Sequence, residues 1–374
     1  MKRIRLFLLL PLFFISGAAQ HPPDPAKHFN RAIELQQQGK LDEAAVEYRV
    51  LLELKPDYAE AHANLGVVLA RLGRYKEAVA AYETAYRLAP QLTPILLNLG
   101  IAYYRAGQFA KAAEVFPKFL EKVPDSTQAR RLHGMSLAAL GRDEEAIAQL
   151  EQTLDAPPPD AAAFYQLGFS CLRASKPGLQ AALKRLASFS EGLPALHFLQ
   201  GQAFLRDKEY EQAIEELEAA RKGNSDLPRL HYTLGLAYLQ LNRNAEARAA
   251  FLEEERRTPR DYQTLYSLAL IYEADTQLVE ARRYVNAALG LDPQSIEANA
   301  LLSKILMKQG RETEALAPLQ RAVARDPKDP VKRYTLARLY RQLNRTADAK
   351  REFAEVQRLK AEQLEQDRKR TPKP

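Results

Sequence analysis

Two stretches 34 residues apart share one arrangement of apolar and polar positions: NLGVVLARLGRYKEA at 64–78 and NLGIAYYRAGQFAKA at 98–112. In the first copy Leu65, Leu69 and Leu72 recur at helical spacing, and Ala78, Tyr82 and Ala85 do so on a second run. Each copy therefore predicts two helices. Prolines keep the beat at Pro56, Pro90, Pro124 and Pro158, then at Pro259, Pro293 and Pro327. Small residues keep it at Ala32, Gly66, Gly100, Gly134 and Gly168, then at Gly201, Gly235, Ala269, Ser303 and Ala337, which makes ten units. Within a unit, Gly73, Gly107, Gly141 and Gly310, or Asn242 and Asn344, end the first helix, because these residue types tolerate the left-handed conformation that stops it. Gly66 and Ala78 let the paired helices approach closely, and Pro90 cannot extend the second helix and closes the unit.

The pattern is irregular at two places. Pro177 and Gly178 stand where a second helix should begin, and Gly168 to Gly201 is 33 residues rather than 34. Residues 174–193 are therefore expected to form a shortened or distorted second helix, a bend between two five-unit halves. After Phe353 the text runs on as AEVQRLKAEQLEQDRKR with no closing proline, which suits the polar cap that a repeat array needs at its end.

Unit two reads His62, Leu65, Gly66, Leu69, Ala78, Tyr82, Ala85, Pro90; unit three reads Leu96, Leu99, Gly100, Tyr103, Ala112, Phe116, Phe119, Pro124; unit seven reads His231, Leu234, Gly235, Tyr238, Ala247, Phe251, Pro259. On these residues the chain resembles a tetratricopeptide repeat (TPR) protein, whose pattern is W-x2-L-G-x2-Y, then A-x3-F, then P. The resemblance runs from residue 25 to about 361. It implies an all-α fold, a right-handed α-solenoid of stacked antiparallel helix pairs with a longer C-terminal capping helix, in which first helices line a concave face. Repeats one to five would occupy 25–192, repeats six to ten 193–361, and a charged capping extension and tail 362–374. One such hairpin buries too little to stand alone, so stability belongs to the stack.

Composition changes this picture only at the N-terminus. Apolar residues make up 46% and charged residues 27%, with no Trp and a net charge of +7. Basic and acidic residues are interspersed, and only DRKRTPKP is locally basic, so a nucleic-acid partner is not expected. MKRIR followed by the ten-residue run LFLLLPLFFI and the small residues Gly17 and Ala19 reads as a signal peptide over 1–19, cut after Ala19, with a short linker at 20–24. Ten apolar residues rise about 15 Å as a helix, half of a ~30 Å hydrocarbon core. No membrane span is expected in the mature chain, which would be exported to the periplasm or exterior; an uncleaved anchor is the alternative. Cys171 is the only cysteine, so no intramolecular disulfide forms, and its place in the repeat predicts a buried structural thiol.

Candidate chemistry is sparse. H-E-x-x-H, a cysteine cluster, a P-loop and a dinucleotide-type glycine run are all missing from the sequence, so neither catalysis, a metal nor a cofactor is expected. His28, His62, His197 and His231 sit where the family pattern has Trp and read as half-buried aromatic substitutes. What the resemblance leaves is a surface for a protein or peptide partner. Its expected floor is Leu97, Ile101 and Tyr104 in unit three, Tyr165, Phe169 and Leu172 in unit five, and Tyr232, Leu236, Leu239, Tyr266 and Leu270 in units seven and eight. Arg71, Arg105, Arg173, Arg206 and Lys308 would recur at one edge; aromatic and arginine side chains are the types enriched at binding hot spots. Asn30, Asn64 and Asn98 share one place in successive units, and such ladders in some superhelical TPR proteins bind peptide backbone, since an amide both donates and accepts. The carboxylate clamp of chaperone-binding TPR domains is not reproduced, because Phe29 and Ile33 occupy its first two places. The reading is a non-catalytic scaffold of the cell envelope. The alternatives are an accessory subunit of an envelope glycan-synthesis or secretion machine, or a membrane-tethered adaptor.

Overall fold

The structure is a computed structural model that describes residues 24–370. The expected signal peptide, its cut after Ala19, the start of the linker and the last four residues of the tail lie outside the described residues.

Among the described residues there are twenty α-helices, two single-turn 3₁₀ helices and no strand. The helices follow one another as ten hairpins: α1 (Pro25–Gln37) with α2 (Leu41–Leu54), α3 (Ala59–Arg71) with α4 (Tyr75–Leu88), α5 (Thr93–Arg105) with α6 (Phe109–Leu120), α7 (Thr127–Ala139) with α8 (Asp143–Leu150), and α9 (Ala161–Ala174) with α10 (Leu179–Leu186), the last two sharing a buried cluster through Cys171 and Ala182. The series continues with α11 (Leu193–Arg206) and α12 (Tyr210–Gly223), α13 (Leu230–Gln240) and α14 (Asn244–Arg257), α15 (Tyr262–Ala274) and α16 (Leu278–Leu291), α17 (Ile296–Lys308) and α18 (Glu312–Arg325), then α19 (Pro330–Gln342) and α20 (Thr346–Arg370). The fold is the all-α solenoid that the repeat pattern predicts. It divides between Arg185 and Leu186 into two compact bodies of several repeats each, from here on called unit one (up to Arg185) and unit two (from Leu186), as distinct from the ten repeats themselves. No helix among the described residues is long and apolar enough to cross a membrane.

Several first helices start on an oxygen-bearing cap. Asp24, Ser126, Asp160, Asp261, Ser295 and Asp329 each accept a backbone N–H of the first turn, satisfying a donor that has no partner within the helix. All ten first helices then end on a left-handed residue. Gly39, Gly73, Gly107, Gly141 and Gly310 supply it in five repeats, Asn242 and Asn344 in two, and Ser175, Lys208 and Thr276 in the remaining three. The closing hydrogen bond is the same whichever residue stands there: Arg74 N donates to Leu69 O at 2.9 Å, Glu209 N to Phe204 O at 2.9 Å and Gln277 N to Tyr272 O at 2.8 Å. Thr276, β-branched at φ 58°, is the most strained of the ten. Thr276→Gly is expected to raise stability by about 1 kcal/mol, the relief of a left-handed L-residue less the entropy that glycine loses. A urea midpoint that stays put or falls would contradict this.

In five repeats the core forms where a glycine on the first helix receives a large side chain of the second. In unit one, a Cβ at Gly66 would stand 2.7 Å from the Tyr82 ring, one at Gly100 2.7 Å from the Phe116 ring and one at Gly134 2.6 Å from Leu150. In unit two the same relation holds between Gly201 and Leu217 at 2.6 Å, and between Gly235 and the Phe251 ring at 2.7 Å. Phe116 and Phe251 are fully buried by this arrangement, and Tyr48 of α2 and Phe198 of α11 are fully buried elsewhere in the core.

The second helix is short in the irregular region over 174–193 and also, unexpectedly, in the repeat before it. After Gly178 at φ 115°, α10 runs for only eight residues, and a 3₁₀ turn follows at Ser190–Gly192. The eight-residue α8 carries no comparable break inside it; it gives way to a 3₁₀ turn at Glu151–Thr153 and then to the proline-rich text before Asp160. Cys171 lies buried between these helices and its Sγ donates to Pro177 O at 3.4 Å. Burial, reinforced by the Glu151 and Asp143 carboxylates, pushes its thiol up to about 11, so at neutral pH it is a packed thiol rather than a nucleophile.

Candidate functional site

First helices meet one another along each stack, α3 with α5, α5 with α7 and α7 with α9 in unit one, and α11 with α13 and α15 with α17 in unit two. The residues of the expected floor lie on these first helices. In unit one, Leu97, Ile101 and Tyr104 of α5 are half-buried, and Tyr104 packs edge-on against Phe109 with centroids 5.6 Å apart. On α9 the rings of Tyr165 and Phe169 stack at 5.9 Å with a 14° interplanar angle, and the Arg173 guanidinium lies 4.8 Å over Phe169. Residues i and i+4 share one side of a helix, which is why this tyrosine and phenylalanine meet.

Unit two repeats the theme with more tyrosine. Arg229 lies 3.9 Å over the Tyr232 ring while its Nη1 donates to Asp261 at 3.0 Å. Tyr232 in turn packs against Phe251 at 5.5 Å. Tyr262 and Tyr266 stack at 6.0 Å with planes 5° apart, and the Tyr262 hydroxyl shares a 2.5 Å hydrogen bond with Ser295. Leu236 and Leu239 are half-buried and Leu270 is exposed. Burial raises the hydroxyl pKa of Tyr104 and Tyr266, and that of Tyr165 to about 12, so these groups are neutral donors at physiological pH.

The edge cations are not alike. Arg71 donates to Gln36 O at 3.5 Å and Arg173 to Ala138 O at 2.7 Å, in each case the end of the first helix one repeat earlier. A guanidinium there complements the helix dipole and ties neighbouring repeats together. Arg173 also pairs with Asp143 at 2.5 Å. Arg206 pairs with its neighbour Asp207 at 2.8 Å, and Lys308 with Glu273 at 2.5 Å. Glu273 is nearly buried, which works against its charge, but Lys308 and Lys304 outweigh this and hold its carboxyl below the ordinary range. Arg105 alone among the five forms no ion pair or hydrogen bond with another described residue; it lines two cavities, of about 430 and 370 Å³.

The three asparagines differ in setting. Asn30 is exposed, Asn98 is half-buried, and Asn64 shares a hydrogen bond with the Tyr48 hydroxyl, which also donates to Gln36 Oε1 at 3.1 Å. The histidines at the Trp place bond to the scaffold. His28 Nδ1 meets Glu47 at 2.7 Å, His197 Nδ1 meets Glu216 at 2.6 Å, and His62 Nε2 meets Pro56 O at 2.8 Å. His231 is buried; that burial, with the nearby Arg257 charge, lowers its pKa and keeps the ring neutral. Among the described residues no group of three or more His, Cys, Asp or Glu is placed to hold a metal ion.

Sequence reasoning passed over Arg131, Arg229 and Tyr262. Tyr262 carried a usable signal, four residues before Tyr266 on one helix face. Arg131 carried none, because in QARRLHG it reads as an ordinary solvated charge, yet it is only 6% exposed.

A family model described as Tetratricopeptide repeat matches residues 29–93, 97–168 and 232–296; a second of the same description matches 272–331, and one described as TPR repeat matches 201–242. Among curated proteins, anaphase-promoting complex subunit 3 of Schizosaccharomyces pombe is 24% identical over 155 residues, covering 41% of this chain and 23% of that protein. The chain thus spans less than a quarter of that relative's length. Among solved structures, a chain of the APC/C hetero-tetramer Cut9–Hcn1 matches with a TM-score of 0.50 at 14% identity, covering 90% of this chain and 81% of that one. Yeast Tom70 matches with a TM-score of 0.41 at 14% identity, covering 90% of this chain and 92% of that one. At such identities the likeness to Cut9–Hcn1 speaks for fold alone. With its models spanning more than half of the sequence in register with the helix pairs, the chain belongs to the tetratricopeptide repeat family.

Proposed function

We propose that this protein is a non-catalytic interaction scaffold of the cell envelope, which holds an extended peptide or partner protein against the face of its first helices. The observation that carries the reading is the aromatic cluster on the first helices of each unit taken by itself: the stacked Tyr165 and Phe169 in unit one, and Tyr232 with the stacked Tyr262 and Tyr266 in unit two. Half-exposed rings already held in place by packing bind at little entropic cost, and such residues dominate interface energetics. The curated relative is by name a subunit of a complex, which supports a role inside a larger assembly.

The double variant Tyr232→Ala/Tyr266→Ala is expected to weaken partner capture from the envelope fraction by about 10- to 100-fold while keeping its helical circular dichroism. Unchanged capture by the folded double variant would refute this face. Export rests on MKRIR, the apolar run and Ala19, and is tested by the mass of the mature protein. A chain beginning at Gln20 supports release, whereas retention of Met1 supports the tethered alternative.

A further inference from the structure

The cavity of about 430 Å³ in unit one is walled by α5, α7 and the segment that leads into α9. Two guanidinium groups line it. Arg131 donates through its Nη atoms to Pro158 O at 2.8 Å, Thr153 O at 3.3 Å and Ala156 O, while its Nε has no partner. A nearly buried positive charge is thereby surrounded by carbonyl dipoles, and among the described residues no carboxylate forms a salt bridge with it. Arg105, which also lines the cavity, is exposed and among the described residues forms no ion pair, unlike Arg173 at the equivalent place. The lining carboxylate, Asp160, is engaged in capping α9 through Ala163 N at 3.1 Å. Ile101 and Leu132 give the cavity apolar walls, and Gln128 adds an amide.

We propose that this cavity is a subsite for an acidic side chain, the carboxylate of a glutamate or aspartate within an extended partner segment, with the flanking apolar residues of that segment against Ile101 and Leu132. The proposal rests on the peptide-binding reading above and adds the chemistry of one contact. Guanidinium groups pair with carboxylates through planar, directional hydrogen bonds, and an incoming carboxylate would give Arg105 the counter-charge that Asp143 gives Arg173. A charge brought against a partly buried guanidinium is screened less than one on open surface.

The test uses the full chain and blocked heptapeptides, acetylated and amidated, with a central glutamate between two leucines, together with a glutamine analogue and a glutamine analogue with a free C-terminus. Fluorescence anisotropy at low salt is expected to show the glutamate peptide binding about tenfold tighter than the blocked glutamine analogue, with the advantage shrinking as salt is raised. Arg105→Gln should erase that advantage, and Arg131→Lys should reduce it in protein that melts like wild type. Equal binding of the two blocked peptides, an advantage that survives Arg105→Gln, binding confined to the free C-terminus, or no binding by any of the three overturns the proposal. Tyr104→Ala separates its failure from that of the groove: if both blocked peptides bind equally and both weaken in this variant, the groove stands and the acidic subsite falls.

Discussion

Phe116→Ala is expected to destabilise the folded chain by about 3–5 kcal/mol, the cost of emptying a fully buried aromatic site. The ring is 0% exposed and fills the space over Gly100, where its nearest atoms lie 2.7 to 3.0 Å from the position a Cβ would take. Collapse around the void is resisted from both sides, because α6 packs on α7 as well as on α5. The converse change, Gly100→Val, pushes a branched side chain into the ring and should cost about 1–3 kcal/mol. The two share one volume, so they should not add. In the Phe116→Ala background, valine at 100 fills part of the void, and the double variant should be more stable than the sum of the single losses by about 1 kcal/mol or more. Urea unfolding of the four proteins measures this. Strict additivity, or a loss below about 1 kcal/mol for Phe116→Ala, would mean that this contact does not set the approach of the helices.

Arg131→Met should cost about 2 kcal/mol, because it removes charge-assisted hydrogen bonds to three carbonyls and leaves part-buried acceptors without a donor. Relief of the arginine's own desolvation offsets some of the loss. The damage should be local. The carbonyls of Thr153, Ala156 and Pro158 belong to the segment that connects α8 to α9, so amide exchange should accelerate in residues 150–160 and little elsewhere. A variant with unchanged stability and unchanged exchange in that segment would show that the guanidinium is a passenger there.

The helix pairs were legible because their causes recur. One interval brings back a small residue, a turn residue and a proline, and each acts through its own backbone or its immediate neighbours. Left-handed turns at Ser175, Lys208 and Thr276 were illegible for the opposite reason: none of these residue types asks for positive φ, and the geometry is imposed by the helices packed on either side. Pro177 and Gly178 announced the short α10, whereas α8 hid its shortness because Pro158 still falls on the beat. The candidate face was readable as a set of positions, since a tyrosine at a first-helix surface place is visible in the letters. Partners of those positions were not. Arg71 and Arg173 look alike with Arg105 in sequence, and only the carbonyls 35 residues earlier distinguish the two that are occupied from the one that is free. Arg131 depends on acceptors 22 to 27 residues away in an irregular segment, where no periodicity guides a reader.

Two consecutive repeats with eight-residue second helices have a consequence for how order spreads along unit one. In a stacked array each hairpin is held by its neighbours, so cooperativity is transmitted step by step through the interfaces between adjacent repeats. A second helix of two turns presents little more than half the side-chain rows of the fourteen-residue α2 and α4. The link through α10 is therefore expected to be the weak coupling in that chain of steps, since α8 still packs closely on both α7 and α9. Fluctuations that open α10 need not melt α1 to α6, and this stretch is expected to open as a foldon of its own: a fuse where protease and solvent gain entry first.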